Sequence, residues 1–340
     1  MVDSLSAVKA YFAERQHEPL NYEEQVSFQT ARSLSIGYCL YYAEDELVCR
    51  GAEVPFTLPV LDPETGAETG MKYSGIIDRF IQDKHGNLYC GDYKTASQVG
   101  PAYWEELSTN PQLSQYYLGC RQAGIPVVGF FWDVIVKPGI KPKKLTKAAI
   151  AELESGDYCG LPFAPGYHDE EEETPEMYGQ RVLVDCTSNA DRYFQRRIIN
   201  RRDEDVYEYM QDLYAIVMDV DRCKQSGQFY RNLSACKRYG KLCEYHSICS
   251  GVDRGKGQFV TRPSVDAADR PTEKGSYSPS RLTCFARCHR EYEYKYEEKL
   301  EPAKFTTDAS LAIGSYLHGA LEVWMQSRLK DPISFDTVAV

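Results

Sequence analysis

Tyr73-Ser-Gly-Ile-Ile-Asp78-Arg-Phe-Ile-Gln-Asp-Lys-His-Gly-Asn87-Leu-Tyr-Cys-Gly-Asp92-Tyr-Lys94-Thr95 reads as a β-hairpin. Two β-rich runs flank the polar turn signal Asp83-Lys-His-Gly-Asn87. Residues two apart in a strand share a face, so Asp92 and Lys94 project together, and the hairpin can bring Asp78 beside them. Two carboxylates and a lysine on neighbouring strands suit metal-assisted hydrolysis. The carboxylates offer hard oxygen ligands to a divalent cation, and the lysine stands near the attacking water or the phosphate. Taken alone the pattern says little, because an Asp-x-Lys on a solvated strand face arises by chance in many proteins.

The rest of the chain supplies a frame for that hairpin. With 340 residues it can bury one large core or two ordinary ones. Residues 4–16 and 22–47 read as helices, the second carrying Val26, Ala31, Leu34 and Tyr38 at helical spacing. Glu53-Val-Pro-Phe-Thr-Leu-Pro-Val-Leu61 alternates like a strand, and its prolines suit a sheet edge. Asn110 to Arg121 reads as a helix with Gln112 and Tyr116 on one face. Ile125 to Val136 is an apolar strand interior to a sheet, and Lys144 to Glu154 a short helix. From Thr174 onward the pattern is mostly helical, through the basic stretch Arg192-Tyr-Phe-Gln-Arg-Arg-Ile-Ile-Asn-Arg-Arg202. That stretch fits either a nucleic-acid backbone contact or a solvated helix face.

The formal net charge of −11 argues against an evenly basic surface, although part of the acidity sits in the loop Asp169 to Glu176. No apolar run reaches the roughly 20 residues of a membrane span. The start, Met-Val-Asp-Ser-Leu-Ser, does not read as a signal peptide. A soluble, cytoplasmic protein is expected, and no phosphate-binding loop of the ATP-driven motors is present.

Twelve cysteines in a reducing compartment point to metal chemistry wherever they cluster. Cys236, Cys243 and Cys249 are spaced C-x6-C-x5-C on a short loop, with Cys284 and Cys288 further on. Three such thiolates hold zinc or three corners of a cubane cluster, and either needs a fourth ligand, His246 or a distant cysteine. Residues 251–276 read as a linker. Ser280 reads as a helix cap, and His318 lies in an amphipathic helix that begins near Gly314.

Together these pieces resemble the RecB-like branch of the PD-(D/E)XK nuclease superfamily, with its recombination, phage and CRISPR-associated exonucleases. The resemblance rests on Gly75-Ile-Ile-Asp78-Arg79, Gly91-Asp92-Tyr93-Lys94-Thr95, the Gln112-x-x-x-Tyr116 signature and the cysteine trio. It implies an α/β (α+β) fold with a restriction-endonuclease-like core, a mixed central sheet flanked by helices, plus an iron–sulfur loop and helical additions. It also implies a Mg²⁺- or Mn²⁺-dependent deoxyribonuclease, exonucleolytic on DNA ends or single strands, in recombination, repair or phage DNA processing. The setting would be a bacterial cell or a phage-infected host, with DNA and a recombination or phage protein as partners. By the resemblance, His318, Asp78 and Asp92 supply metal ligands and Lys94 orients the water or stabilises charge. Gln112 and Tyr116 line the DNA path. Cys236, Cys243, Cys249 and Cys288 bind a [4Fe–4S] cluster, with Cys284 as the competing fourth ligand and zinc as the alternative occupant. A non-catalytic DNA-end-binding module with a structural cluster or zinc site is the rival function.

The order of the motifs departs from the family. Ser278, Ser280, Leu282, Cys288, Arg290, Gly314 and His318 match a segment that precedes the catalytic hairpin in relatives, yet here they follow it. The expected organisation is a nuclease core with its cysteine loop in residues 1–250, the linker 251–276, and a segment 277–340 that packs back on the core. Circular permutation is the leading explanation. A 26-residue flexible linker reaches about 28 Å on average, enough for such a return. A truncated second copy and a swapped homo-oligomer are the rivals.

Overall fold

Asn110-Pro111, Thr174-Pro175 and Ser278-Pro279 each start a helix in the same way. The first residue's side chain accepts the backbone N–H three residues on, and the proline at the first helical position has no N–H to leave unpaired. Asn21 caps the helix Tyr22–Tyr41 by the same bond to Glu24 N. These caps, each contributing about 1 kcal/mol, set where the long helices begin. A computed structural model describes residues 2–19, 21–165, 169–238, 240–251, 259–261, 276–303 and 309–335.

Five strands form the central sheet, β1 (Val48–Leu61), β2 (Glu68–Gln82), β3 (Leu88–Ala96), β4 (Val127–Val136) and β5 (Phe194–Ile199), in that spatial order. Only β3 and β4 run parallel, and their connection carries the helix α3 (Pro111–Gln122). On one face α3 packs with α5 (Asp203–Ser226) and α6 (Pro279–Arg287) over Phe80, Cys90, Phe130 and Trp132. The other face carries α1 (Val2–Glu14), α2 (Tyr22–Tyr41), α4 (Pro175–Ser188) and α7 (Ala309–Gln326) over Ile81, Tyr93, Phe131 and Ile135. This is the mixed sheet between helical layers expected of a restriction-endonuclease-like core.

A buried charge network joins the second face. Asp133 of β4 forms an ion pair with Arg79 of β2 at 2.7 Å and accepts hydrogen bonds from Arg196 of β5 at 2.7 and 2.9 Å. Tyr38 of α2 also donates to it. Arg79 and Asp133 are each 1% exposed, and Arg79 donates further to Tyr93 Oη at 2.8 Å. The guanidinium needs room against the sheet. Gly91 provides it, since a Cβ there would stand 2.7 Å from Arg79 Nε.

The edge strand with prolines, the hairpin, the interior strand β4 and the helix α3 agree with the sequence reading. Other elements differ. The helix expected over residues 22–47 stops at Tyr41, and Asp45 beyond it turns to pair with Arg196 at 2.5 Å. Residues 194–199 form a strand and not a helix, because Arg196 is needed opposite Asp133 in the β4 ladder and Ile198 and Ile199 suit an edge. Ser278 caps α6, while Ser280 lies within it. The helix bearing His318 begins at Ala309, not near Gly314. Within the expected linker, Phe259–Thr261 pairs with Leu300–Pro302 as a short antiparallel ladder. The remainder of 251–276, apart from Gly251 and Ser276, lies outside the described residues.

Removing the shared acceptor would leave two guanidiniums buried without their counter-charge. Asp133→Ala is expected to destabilise the fold by about 3–5 kcal/mol, read as a lower urea midpoint with an unchanged slope.

Candidate active site

The β2–β3 ladder ends at Arg79↔Gly91, and the two strands part there. Asp78 is the first residue past the fork on β2. Its carboxylate accepts Tyr93 N–H at 3.0 Å, a donor the ladder no longer pairs. Asp92 follows Gly91 on β3, still held by β4 in the register Asp92↔Trp132. The fork therefore opens a gap lined by two carboxylates, while β4 keeps the floor rigid.

Lys94 lies two residues on and its Nζ is 2.5 Å from Asp92 Oδ2. The same ammonium stands 5.2 Å from the centre of the Trp132 ring, whose indole N–H donates to Tyr103 Oη at 3.1 Å. The fourth group comes from the opposite end of the chain. His318 on α7 places Nδ1 3.6 Å from Asp78 Oδ2, and ligand atoms of Asp78, Asp92 and His318 all lie within 4.8 Å of one another. Gly314, one turn earlier on α7, faces Thr95 at 3.6 Å from the position of an added Cβ, so α7 approaches β3 closely there.

Burial and charge divide the carboxylates. Desolvation, then the Asp92 charge, push the Asp78 carboxyl well above the usual carboxylate range. Burial alone would raise Asp92, but the Lys94 ammonium, the hydrogen bond from Asp78 and the nearby His318 together hold it below its ordinary value. Burial would likewise lower Lys94, and the charges of Asp92 and Asp78 hold it above its usual range. Asp92 is 0% exposed, and its Oδ1 has no hydrogen-bond partner in the described protein. A buried carboxylate oxygen without a donor, with a second carboxyl against it, calls for a proton or a cation between them. Two carboxylates and an imidazole are a donor set that fits Mg²⁺ or Mn²⁺.

Gln112 and Tyr116 lie behind this gap. Gln112 Nε2 donates to Tyr116 Oη at 2.9 Å, and that hydroxyl donates to Ile76 O at 2.6 Å. Tyr116 is 4% exposed. The pair thus grips β2 two residues before Asp78.

Cys236, Cys243, Cys249 and Cys288 all line one cavity of about 100 Å³, together with His246 and Arg290. Asn232 ties the loop to the distal segment, donating from Nδ2 to Arg287 O at 2.8 Å. Cys284 does not reach this cavity and is buried in the apolar core. Of the basic stretch, Arg196 is spent on Asp133 and Asp45. Arg201 donates to Leu107 O at 2.6 Å and to Ser114 Oγ at 3.1 Å. Its arginines serve the fold first.

A family model for the PD-(D/E)XK nuclease superfamily matches residues 3–250 and 276–338. The chain belongs to the PD-(D/E)XK nuclease superfamily. Its members are phosphodiester hydrolases that use divalent metals, and the carboxylate pair with Lys94 gives this PD-(D/E)XK chain the matching chemistry. The match comes in two pieces, the second being the segment that brings His318. No curated protein and no solved structure matches the chain. No helix among the described residues is long and apolar enough to cross a membrane.

Trp132, whose ring faces the Lys94 ammonium, escaped sequence reasoning, because a contact between two neighbouring strands leaves no local pattern.

The raised carboxyl gives a pH signature. In the folded protein Asp78 binds its proton more tightly than in the unfolded chain, so its ionisation weakens folding as pH rises from about 3.9, the unfolded value. The loss is complete once pH exceeds the folded value. In chelator at pH 8, Asp78→Asn is therefore expected to melt at a higher temperature than wild type. That advantage should vanish as pH falls to about 4, and Mn²⁺ should raise the melting temperature of wild type alone.

Proposed function

We propose that this PD-(D/E)XK protein is a Mg²⁺- or Mn²⁺-dependent deoxyribonuclease that degrades DNA from ends or single strands. The carrying observation is the convergence of Asp78, Asp92 and His318 to within 4.8 Å, with Lys94 on Asp92. Asp78, Asp92 and His318 would hold the cation, which when bound polarises the scissile phosphate and acidifies its water. Lys94, kept charged by its two carboxylates, orients the attacking water and offsets charge on the phosphate oxygens. Tyr116 acts as a positioning residue that fixes β2 through Ile76 O, and Gln112 presents the half-buried end of the pair toward the DNA path. The exonucleolytic assignment follows the resemblance to recombination, phage and CRISPR-associated exonucleases, and those settings are the expected ones.

The distal segment completes the site within its own chain on this reading, as a circular permutation requires. His318 Nδ1 at 3.6 Å from Asp78 supports that. So does the seam along which Tyr277 N donates to Lys72 O at 2.9 Å and Ser74 N to Tyr277 O at 3.0 Å. Lys330 N donates to Cys49 O of β1 at 2.9 Å, at the edge of the sheet. A swapped dimer or a truncated second copy would not need these contacts.

The cavity shared by Cys236, Cys243, Cys249 and Cys288 is assigned to a [4Fe–4S] cluster. Zinc at about 2.3 Å from each sulfur draws tetrahedral thiolates to about 3.8 Å of one another. Among the described residues no three of these thiols, or two with His246, meet within 4.8 Å. That spacing favours a cubane, whose separate corners each take one thiolate. The cluster would act as a staple between the 231–250 loop and the distal segment, coordination free energy becoming folding free energy.

Asp92→Ala and Lys94→Ala should each lower the cleavage rate of linear DNA by about a hundredfold or more while the protein stays folded and coloured. Cleavage at the wild-type rate by Asp92→Ala would remove the assignment. Protein purified without oxygen should absorb in the visible and carry about four irons per chain. Cys243→Ala and Cys288→Ala should lose the colour, and Cys284→Ala should keep it. One zinc per chain and no iron would overturn the cluster.

A further inference from the structure

α5 carries Asp219 and Cys223 four residues apart, so the two side chains share one face of that helix. The face meets the distal segment at the start of the short helix His289–Tyr292. There His289 Nδ1 stands 3.6 Å from Cys223 Sγ, and His289 Nε2 stands 3.8 Å from Asp219 Oδ2. One ligand atom from each of the three residues lies within 4.8 Å of the other two. Cys223 is 3% exposed and His289 5%. Phe285 of α6 stacks on the imidazole with ring centres 3.8 Å apart, and the Tyr230 ring stands 3.9 Å away. These rings fix the imidazole, whose nitrogens are turned to α5. The imidazole–carboxylate distance is too long for a hydrogen bond. It suits two ligands of one ion instead. Zinc bonded at about 2.3 Å to sulfur and about 2.0–2.1 Å to nitrogen and oxygen spaces tetrahedral ligands about 3.3–3.6 Å apart.

A cleft of about 510 Å³, lined by Asp219, Arg222, Phe285 and His289 among others, opens beside the three residues. It gives an ion a way in and leaves room for a water on its fourth side. The Arg222 guanidinium pairs with Asp219 Oδ1, so Oδ2 is the oxygen turned to His289. Arg222 is largely exposed and can withdraw into solvent when a dication arrives. We infer that Asp219, Cys223 and His289 form a zinc site, separate from the nuclease gap and from the cysteine loop. A thiolate, an imidazole and a carboxylate suit Zn²⁺, whereas Mg²⁺ and Mn²⁺ prefer oxygen donors. Three protein ligands leave the fourth position of the ion to water. On binding, Cys223 exchanges its thiol proton for the ion, and the proton passes to solvent. The site joins α5 to the distal segment one residue past Cys288, so coordination there adds to the folding free energy of that seam. Neither the nuclease chemistry nor the cluster is needed for it.

The test counts zinc and iron per chain in the full-length, cluster-loaded protein after equilibration with Zn²⁺ and gel filtration. Wild type is compared with Cys223→Ser, Asp219→Asn and Cys186→Ala, the last a buried cysteine on the other face of the sheet. Wild type and Cys186→Ala are expected to retain about one zinc more than the other two, with iron unchanged in all four. Loss of either ligand should weaken that zinc at least about tenfold, the least that loss of an outer-shell partner costs. Co²⁺ in place of Zn²⁺ should add a thiolate-to-metal charge-transfer band to the difference spectrum of wild type and not to that of Cys223→Ser. The nuclease gap of Asp78, Asp92 and His318 holds no thiol and cannot supply that band. Asp219 is half-buried, so Asp219→Asn keeps the comparison open if Cys223→Ser does not fold. Equal zinc in all four proteins, or no thiolate band in wild type, would overturn the site. Zinc that survives Cys223→Ser but disappears with Cys243→Ala would place the ion in the cysteine loop and overturn it as well.

Discussion

A single buried carboxylate, Asp133, sets the geometry on which the site depends. It pairs with the Arg79 charge and accepts from Arg196 and Tyr38, so one side chain of β4 ties β2, β5 and α2 to the same point. An ion pair of this depth costs desolvation, and its value lies less in net stability than in the register it enforces. Arg79 immediately follows Asp78, and the bond to Asp133 fixes which way β2 faces at the fork. A slip of one residue would turn every side chain of β2 to the opposite face. The network also explains Gly91, the residue before Asp92. Its missing Cβ is where Arg79 crosses the sheet. The two glycine–aspartate motifs are thus bound to one another through the core, not only through the hairpin turn.

From that anchor the site follows by separation of strands. Beyond Arg79↔Gly91 the backbone groups of β2 and β3 lose each other as partners, and the Asp78 carboxylate takes up the Tyr93 N–H. The opening brings two carboxylates together in a buried place and gives only one of them a cation, Lys94. The unequal sharing leaves Asp92 charged and Asp78 held toward its neutral form. A divalent cation removes the conflict for both. The raised Asp78 and the unpartnered oxygen of Asp92 therefore lie within one gap and share one remedy.

Besides Lys330 and Ile333 on β1, the distal segment is held along three seams. Ser276 and Tyr277 add to the edge of β2, α7 packs on α1 and α2, and residues 287–290 meet the cysteine loop. Tyr11 reaches so close to Gly319 that a Cβ there would clash with its hydroxyl, which is how α7 settles deep enough to deliver His318. Chain order places these residues last, while packing places them at the centre. A histidine on a helix of a different layer is a stiff way to finish the site, because its position follows from helix packing and not from loop conformation.

Much was legible before any coordinates. The Asp78, Asp92 and Lys94 hairpin, the Gln112–Tyr116 helix face, the interior strand β4 and the edge strand β1 are local patterns of period 2 or 3.6, written in contiguous residues. The basic stretch from Arg192 misled because its composition suits an exposed helix. Arg196 is instead matched to a carboxylate 63 positions away in sequence, and no local pattern records such a partner. The sequence by itself determined the family, the kind of sheet and the chemical groups available. Only the tertiary structure decided that Asp78 meets His318 in one chain, and that Cys288 and not Cys284 lines the cavity of the cysteine loop. Those are distances between residues far apart along the chain, and burial and packing, not neighbouring residues, fix them.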